Sequence, residues 1–245
     1  MTEQKTIQRQ TGVALWRQIA DRIRVSISDG LYDSTGMVPP EAVLAAEFEV
    51  NRHTVRSALA ALAQEGVVRA VQGRGTFIER RDRLTFPISK RTRFTPGIGH
   101  QARTLESKVL DSALEPATPE LAAHLGLAPG DPLIRLEGLR KADGQAVSRA
   151  TSWFPAKRFA GIDEAYRQTG SITAAFAACG LEDYLRVKTE VSAVHADPSD
   201  RVELGLSPGA IVLVTKALNA DLDGIPVQYS ITRFPADRVQ FTIEN

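Results

Sequence analysis

The chain has a single cysteine, Cys179, among 245 residues. No disulfide can close within it, so its stability has to come from packing. Long apolar runs are missing too, and nothing approaches the roughly 20 residues that a membrane helix needs. Thr2 to Gln10 is polar and does not read as a signal peptide. These absences lead us to expect a cytoplasmic protein with no membrane partner. An excess of charge of either sign is also lacking, with 30 Lys and Arg against 29 Asp and Glu. That balance argues against a protein that coats nucleic acid unspecifically, because such affinity grows with the number of phosphate contacts. The four histidines, His53, His100, His124 and His195, show no metal-ligand spacing, and no Gly-x-Ser-x-Gly, P-loop or dinucleotide fingerprint is present. We therefore expect neither metal nor cofactor. Cys179 follows the apolar run Ala174 to Ala178 and reads as a buried thiol.

What is present is enough for about two domains of ordinary size, at 26.6 kDa and 43% hydrophobic residues. Near the N-terminus, Leu15, Ile19, Ile23 and Ile27 recur every four residues and predict an amphipathic helix ending near Asp29-Gly30. Pro39-Pro40-Glu41 opens a second, short helix with Leu44 and Phe48 facing inward. Asn51 can accept from free N–H groups at a helix start and Gly66 suits a left-handed stop, so a third helix is predicted from about Arg52 to Glu65. Val55, Ala58, Leu59 and Leu62 share one face of it, while Arg52, His53 and Arg56 cluster off that stripe in its first turn and a half. A helix that reads DNA needs this asymmetry, although the same charges would also suit a solvated basic face. Val67 to Val71 and Thr76 to Ile78 then predict a tight hairpin around Gly73-Arg74-Gly75. By itself the tip is a turn; in this order it is a wing able to bring Arg74 to a phosphate or a narrow minor groove.

Gln18 to Arg24, Pro40-Glu41, Leu44-Ala45, Phe48 to Arg56, Ala58-Leu59, Leu62, Glu65-Gly66 and Gly73-Arg74-Gly75-Thr76-Phe77 together resemble the winged helix-turn-helix domain of GntR-family bacterial transcription regulators. The resemblance covers about 65 residues. It implies double-stranded operator DNA as a partner, with Asn51, Arg52, His53, Thr54 and Arg56 on the reading helix and Gln72, Gly73 and Arg74 on the wing. One departure is Ala42, where many relatives carry an arginine used on a base.

Beyond the charged run Glu79 to Arg83 lies an internal repeat: Leu125-Gly126-Leu127-Ala128-Pro129-Gly130 returns as Leu204-Gly205-Leu206-Ser207-Pro208-Gly209. Each copy follows a short helical pattern and precedes an apolar strand, an Asp-Gly turn (Asp143-Gly144, Asp223-Gly224) and a second strand ending in Phe154-Pro155 or Phe234-Pro235. Ser171 to Cys179 predicts a helix between the halves. With further strands at about Leu185 to Ala196 and Arg238 to Ile243, an antiparallel sheet of about six strands with helices packed on it results. The expected division is 1–79 for DNA binding, 80–90 as linker, and 91–245 for effector binding and dimerisation.

This duplicated arrangement resembles the UTRA effector domain of the HutC subfamily, whose fold is similar to chorismate lyase. The fold class expected is thus α+β, an N-terminal winged helix-turn-helix domain plus a C-terminal UTRA domain. Asn51-Arg52-His53-Thr54, Thr92-Arg93-Phe94 and Gln228 to Phe234 further resemble PhnF-type regulators of phosphonate uptake and breakdown. The resemblance implies a small anionic effector, with Thr95, Arg140, Ser171, Thr173 and Tyr229 at positions that contact ligand in related domains, and Gly138 standing where those domains have a second arginine. Thr92, Arg93, Phe94 and Arg233 complete the candidate set. Ser171 could equally be a plain N-cap, Arg140 and Arg233 surface ion pairs, and Tyr229 an interior side chain. Two other classes stay open here: a small-molecule enzyme of chorismate-lyase-like fold, which lacks a persuasive acid–base pair, and a ligand-free nucleoid binder, which the near-neutral charge disfavours. The expectation is a homodimeric repressor meeting an inverted repeat, its effector a phosphonate or phosphate-like metabolite or a different acid.

Overall fold

The computed structural model describes residues 14–243 except 33, 80–82, 94–96 and 207–208. Phe94 and Thr95, parts of the expected linker and the Ser207-Pro208 step of the repeat lie outside the described residues. The chain divides into two units, 1–81 and 82–245.

In the first unit, α1 (Leu15–Ser28), α2 (Glu41–Glu47) and α3 (Arg52–Gln64) surround one core. Ile19, Ile23, Leu44, Val55 and Leu62 are fully buried in it, which accounts for the four-residue spacing on α1 and the apolar stripe on α3. Asn51 Oδ1 accepts from the His53 N–H at 2.9 Å and caps α3, and Gly66 follows its end at φ +71°. The strands β1 (Met37–Val38), β2 (Val68–Val71) and β3 (Gly75–Ile78) form a small antiparallel sheet in the order β1-β3-β2.

The second unit is built on a six-stranded antiparallel sheet in the order β5-β6-β7-β10-β9-β8. The first half supplies β5 (Leu105–Pro116), α4 (Pro119–Leu125), β6 (Pro132–Ala142) and β7 (Gln145–Pro155). The second supplies β8 (Leu185–His195), α7 (Pro198–Glu203), β9 (Ile211–Ala220) and β10 (Pro226–Pro235). The halves meet where β7 pairs with β10, with Thr151 opposite Ile231. These two residues correspond through the repeat, so a pseudo-two-fold axis passes between them. Between the halves run α5 (Ile162–Thr169) and α6 (Ile172–Ala178). Phe159, Ile162, Tyr166, Ala175 and Phe176 pack with Leu136 and Phe154 on one face of the sheet. α4 and α7 cover the other, through Leu121 and Leu125 with Tyr229 and through Leu204 with Val212 and Val214.

Two expectations change. Residues 238–243 do not join the large sheet; β11 (Val239–Ile243) pairs in parallel with β4 (Leu84–Ile88), and the sixth strand is β5. Residues 84–88, expected in the linker, are therefore a strand of the second unit, where Phe86 packs with Phe234, Val147 and Val239. Its apolar side chains gain more from burial there than an exposed tether would allow.

Candidate functional site

On the first unit, the start of α3 and the wing tip carry the exposed polar residues. Arg52, His53 and Arg56 are exposed, and Thr54 is half-buried next to the buried Val55. Arg56 forms a two-pronged ion pair with Glu41 at the start of α2, Nε to Oε1 at 3.0 Å and Nη2 to Oε2 at 2.8 Å. The Arg56 hydrogen bond holds the Glu41 carboxyl below its usual range, and the charges of Arg52 and His53 act in the same direction. The pair was not anticipated, since it joins positions fifteen residues apart on two helices. At the tip, Gln72, Gly73 and Arg74 are exposed, and the Arg74 guanidinium carbon lies 5.8 Å from the Phe77 ring. Gly75 stands at φ +103°, a conformation L side chains rarely adopt, and a Cβ there would also push the end of the Met37 side chain aside, so the hairpin favours glycine.

In the second unit, a cavity of about 430 Å³ lies between the sheet and α5–α6. Arg93, Arg140 and Arg186 line it, together with the hydroxyls and amides of Ser152, Thr173, Asn219, Gln228, Ser230 and Thr232. None of the described lining residues is Asp or Glu. Arg93 stacks on Tyr184, its guanidinium carbon 3.5 Å from the ring centroid, and donates to the Tyr184 carbonyl at 2.5 Å. Tyr184 Oη and Thr173 Oγ1 are 3.0 Å apart. Arg140 lies 6.0 Å from the Tyr166 ring. Arg186 donates from Nε to Asn219 Oδ1 at 2.7 Å; Asn219 Nδ2 donates to Gln228 Oε1 at 2.7 Å, and Gln228 Nε2 to Ser152 Oγ at 3.0 Å. Burial pushes the Arg186 guanidinium down to about 10, and the charge of neighbouring Arg93 adds to the shift.

Of the effector residues expected from sequence, Arg93, Arg140, Ser171 and Thr173 meet at this cavity. Ser171 also caps α6, its Oγ accepting from the Ala174 N–H at 3.3 Å. Thr92 is buried, its hydroxyl accepting from Ser89 N–H at 2.6 Å and donating to the Ser89 carbonyl at 2.7 Å, which ties the loop, and it is not among the residues lining the cavity. Tyr229 and Arg233 are not brought there. Successive strand residues point to opposite faces, so Gln228, Ser230 and Thr232 face the cavity while Tyr229 and Arg233 face α4 and α7. Tyr229 stacks on His124 at 4.2 Å between ring centroids, and Arg233 is bonded to the fully buried Asp200, Nη2 to Oδ2 at 2.6 Å. Arg186, Asn219 and Gln228 were missed; the alternation of β10 was the signal available, whereas Arg186 carries none beyond its place on a strand. Gly138 lines the cavity where a Cβ would come within 3.3 Å of Tyr166 Oη, so a larger side chain there requires Tyr166 to shift. Cys179 is half-buried, and burial pushes its thiol up.

A winged helix in one unit and a duplicated sheet with a cation-lined cavity in the other is the architecture of a DNA-binding transcription regulator. Residues 15–78 match the family "Bacterial regulatory proteins, gntR family", and residues 100–240 match "UTRA domain". The chain belongs to the gntR family of bacterial regulatory proteins, in the group carrying a UTRA domain. It is 61% identical over 240 residues to the HTH-type transcriptional regulator RB1450 of Rhizobium meliloti (strain 1021), covering 98% of each chain. It is 30% identical to the probable transcriptional regulator PhnF of Escherichia coli (strain K12), covering 85% of this chain and 86% of that one. The crystal structure of PhnF from Mycobacterium smegmatis shares the fold, with a TM-score of 0.62 at 24% identity over 90% of this chain and 97% of that one. These relatives are named as transcriptional regulators, not enzymes. No helix among the described residues is long and apolar enough to cross a membrane.

Proposed function

We propose that the chain is a repressor that binds an operator inverted repeat as a homodimer and loses affinity for it when a small anion, phosphonate- or phosphate-like, enters the cavity of the second unit. The observation that carries this reading is the lining itself, which holds three arginines and, among the described residues, no Asp or Glu, a positive interior that favours an anion. The phosphonate class comes from the resemblance to PhnF-type regulators. Arg93 offers the route to DNA. It follows β4 by five residues, its loop is tied to β8 by the Arg186 N–H donating to the Lys90 carbonyl at 2.8 Å, and β4 leads back along the chain to the wing. An anion that draws Arg93 and Arg186 together therefore strains the segment from which the winged helix departs, and the DNA equilibrium shifts by the difference in affinity between the two arrangements. Dimerisation is supported by the edge strands β5 and β8, the latter with Val187, Val191 and Val194 exposed.

The reading is tested with DNA that the protein itself selects from a random pool, followed by fluorescence anisotropy. Alkylphosphonate or phosphate should weaken binding about tenfold or more, corresponding to about 1.4 kcal/mol of coupling. Operator affinity unmoved by any anion that calorimetry shows to bind would overturn it.

A further inference from the structure

The duplication sets the two ends of the cavity in equivalent places. Ser107 on β5 pairs with Arg140 on β6, and Arg186 on β8 pairs with Asn219 on β9. The repeat displacement of 79 residues, the distance from Pro119 to Pro198 at the two helix starts, carries Ser107 onto Arg186 and Arg140 onto Asn219. Each end thus holds one arginine, on opposite partners of the same pair. Three strands, β7, β10 and β9, intervene between the strands that bear them, which is roughly 19 Å at the backbone for four strand spacings. Both arginines nevertheless line one cavity, so they approach it from opposite sides.

The Arg186 end is the more telling. Its side-chain hydrogen-bond partners are neutral, Asn219 at 2.7 Å and Thr189 Oγ1 at 3.4 Å, and no carboxylate among the described residues forms an ion pair with it. Arg93, stacked on Tyr184 two residues away, adds a second positive charge. Asp183, next to Tyr184 in the chain, stands 3.4 Å from Arg93 Nη2 and is held by Arg91 at 2.6 Å. A half-buried cation without a counterion is costly to hold, and an anion arriving in the cavity relieves that cost. The volume of about 430 Å³ is also that of a site for an organic molecule rather than for a bare tetrahedral anion.

Given an anionic effector, we propose that it is an elongated molecule with two anionic ends, one held by Arg140 and the other by Arg186 with Arg93, its middle lying along the Asn219-Gln228-Ser152 row.

The test uses the full chain and isothermal titration calorimetry with matched pairs: alkylphosphonates and ω-carboxyalkylphosphonates of the same chain length. The two-headed member should bind at least tenfold more tightly, with an optimum at one intermediate length. Arg186→Gln and Arg140→Gln should each erase that advantage, and Arg186→Lys should keep part of it; melting curves of the free variants establish that they fold. Equal affinity within every matched pair in the unaltered protein overturns the two-headed effector and leaves an anionic one standing. No binding of either member overturns the anionic effector itself. A two-headed advantage that survives both glutamine variants overturns the assignment to these arginines. If a variant does not fold, the matched pairs in the unaltered protein still decide.

Discussion

Asp200 is fully buried, yet Arg233 reaches it through Nε at 2.7 Å and Nη2 at 2.6 Å, Arg149 stands at 3.9 Å, and its Oδ2 accepts from the Asp197 N–H at 3.1 Å to complete the cap of α7. The first half of the domain solves the same position without charge. Leu121 corresponds to Asp200, and the strand residues it packs near, Trp153 and Tyr229, correspond to Arg233 and Arg149. Asp200→Ala removes the carboxylate shared by two mostly buried guanidiniums, with side chains only 18% and 22% exposed, and leaves Arg149 with Glu137 at 3.2 Å and Arg233 with Asp197 at 3.4 Å. Breaking a buried pair in this way costs about 3–5 kcal/mol, which for a domain of this size lowers the melting temperature by roughly 10 °C. Replacing all three groups with the first half's set, in Asp200→Leu/Arg149→Tyr/Arg233→Trp, should recover most of the loss, because apolar substitutes for buried ion pairs are often neutral or stabilising. Differential scanning calorimetry of the full chain measures both, with fluorescence in a Trp16→Phe background assigning the transition to the unit that contains Trp153. A fall of less than about 3 °C in Asp200→Ala would refute the reasoning, since Glu137, Asp197 and water would then satisfy the arginines without Asp200.

On the reading helix, Arg52→Ala should cost about 1–3 kcal/mol of operator affinity if it is bidentate to a base; unchanged binding in both Arg52→Ala and Arg56→Ala would remove α3 as the reading element. Glu41→Gln frees Arg56, so the salt dependence of DNA binding should steepen by about one phosphate contact. Gly75→Ala forces a strained backbone against Met37 and should destabilise the winged unit by about 1–3 kcal/mol, seen as loss of DNA binding with the second unit's melting unmoved. Acid should act through carboxylates such as Asp111, held down by the Arg135 hydrogen bond, and Asp183, held down by Arg91. Their folded-state values lie below the unfolded ones, so their contribution is present above about pH 4 and disappears as pH falls further; urea melts at pH 7, 5 and 3 should show the loss only in the last step. Sedimentation at micromolar concentration should give about twice 26.6 kDa, and a strict monomer that still binds a full operator tightly would contradict the dimer.

The sequence by itself determined whatever rests on neighbours along the chain. The α3 cap by Asn51, the glycine stop at Gly66, the wing turn and the four-residue stripe of α1 are local, and a reader of the chain can assign them because each depends on residues within one or two turns. The duplication was equally legible, since it is a comparison of the chain with itself, and it carried the two central hairpins with it, though not β5 at the sheet's edge. Tertiary structure decided the rest. Whether Tyr229 or Ser230 faces the cavity depends on which side of β10 the later helices cover, and a one-residue change of phase exchanges the whole face. β4 pairs with β11 across almost the full length of the second unit, and Arg186 meets Asn219 thirty-three residues away. Such contacts are chosen by which buried groups the closed fold leaves to satisfy one another, and nothing within a turn of any of these residues records that choice.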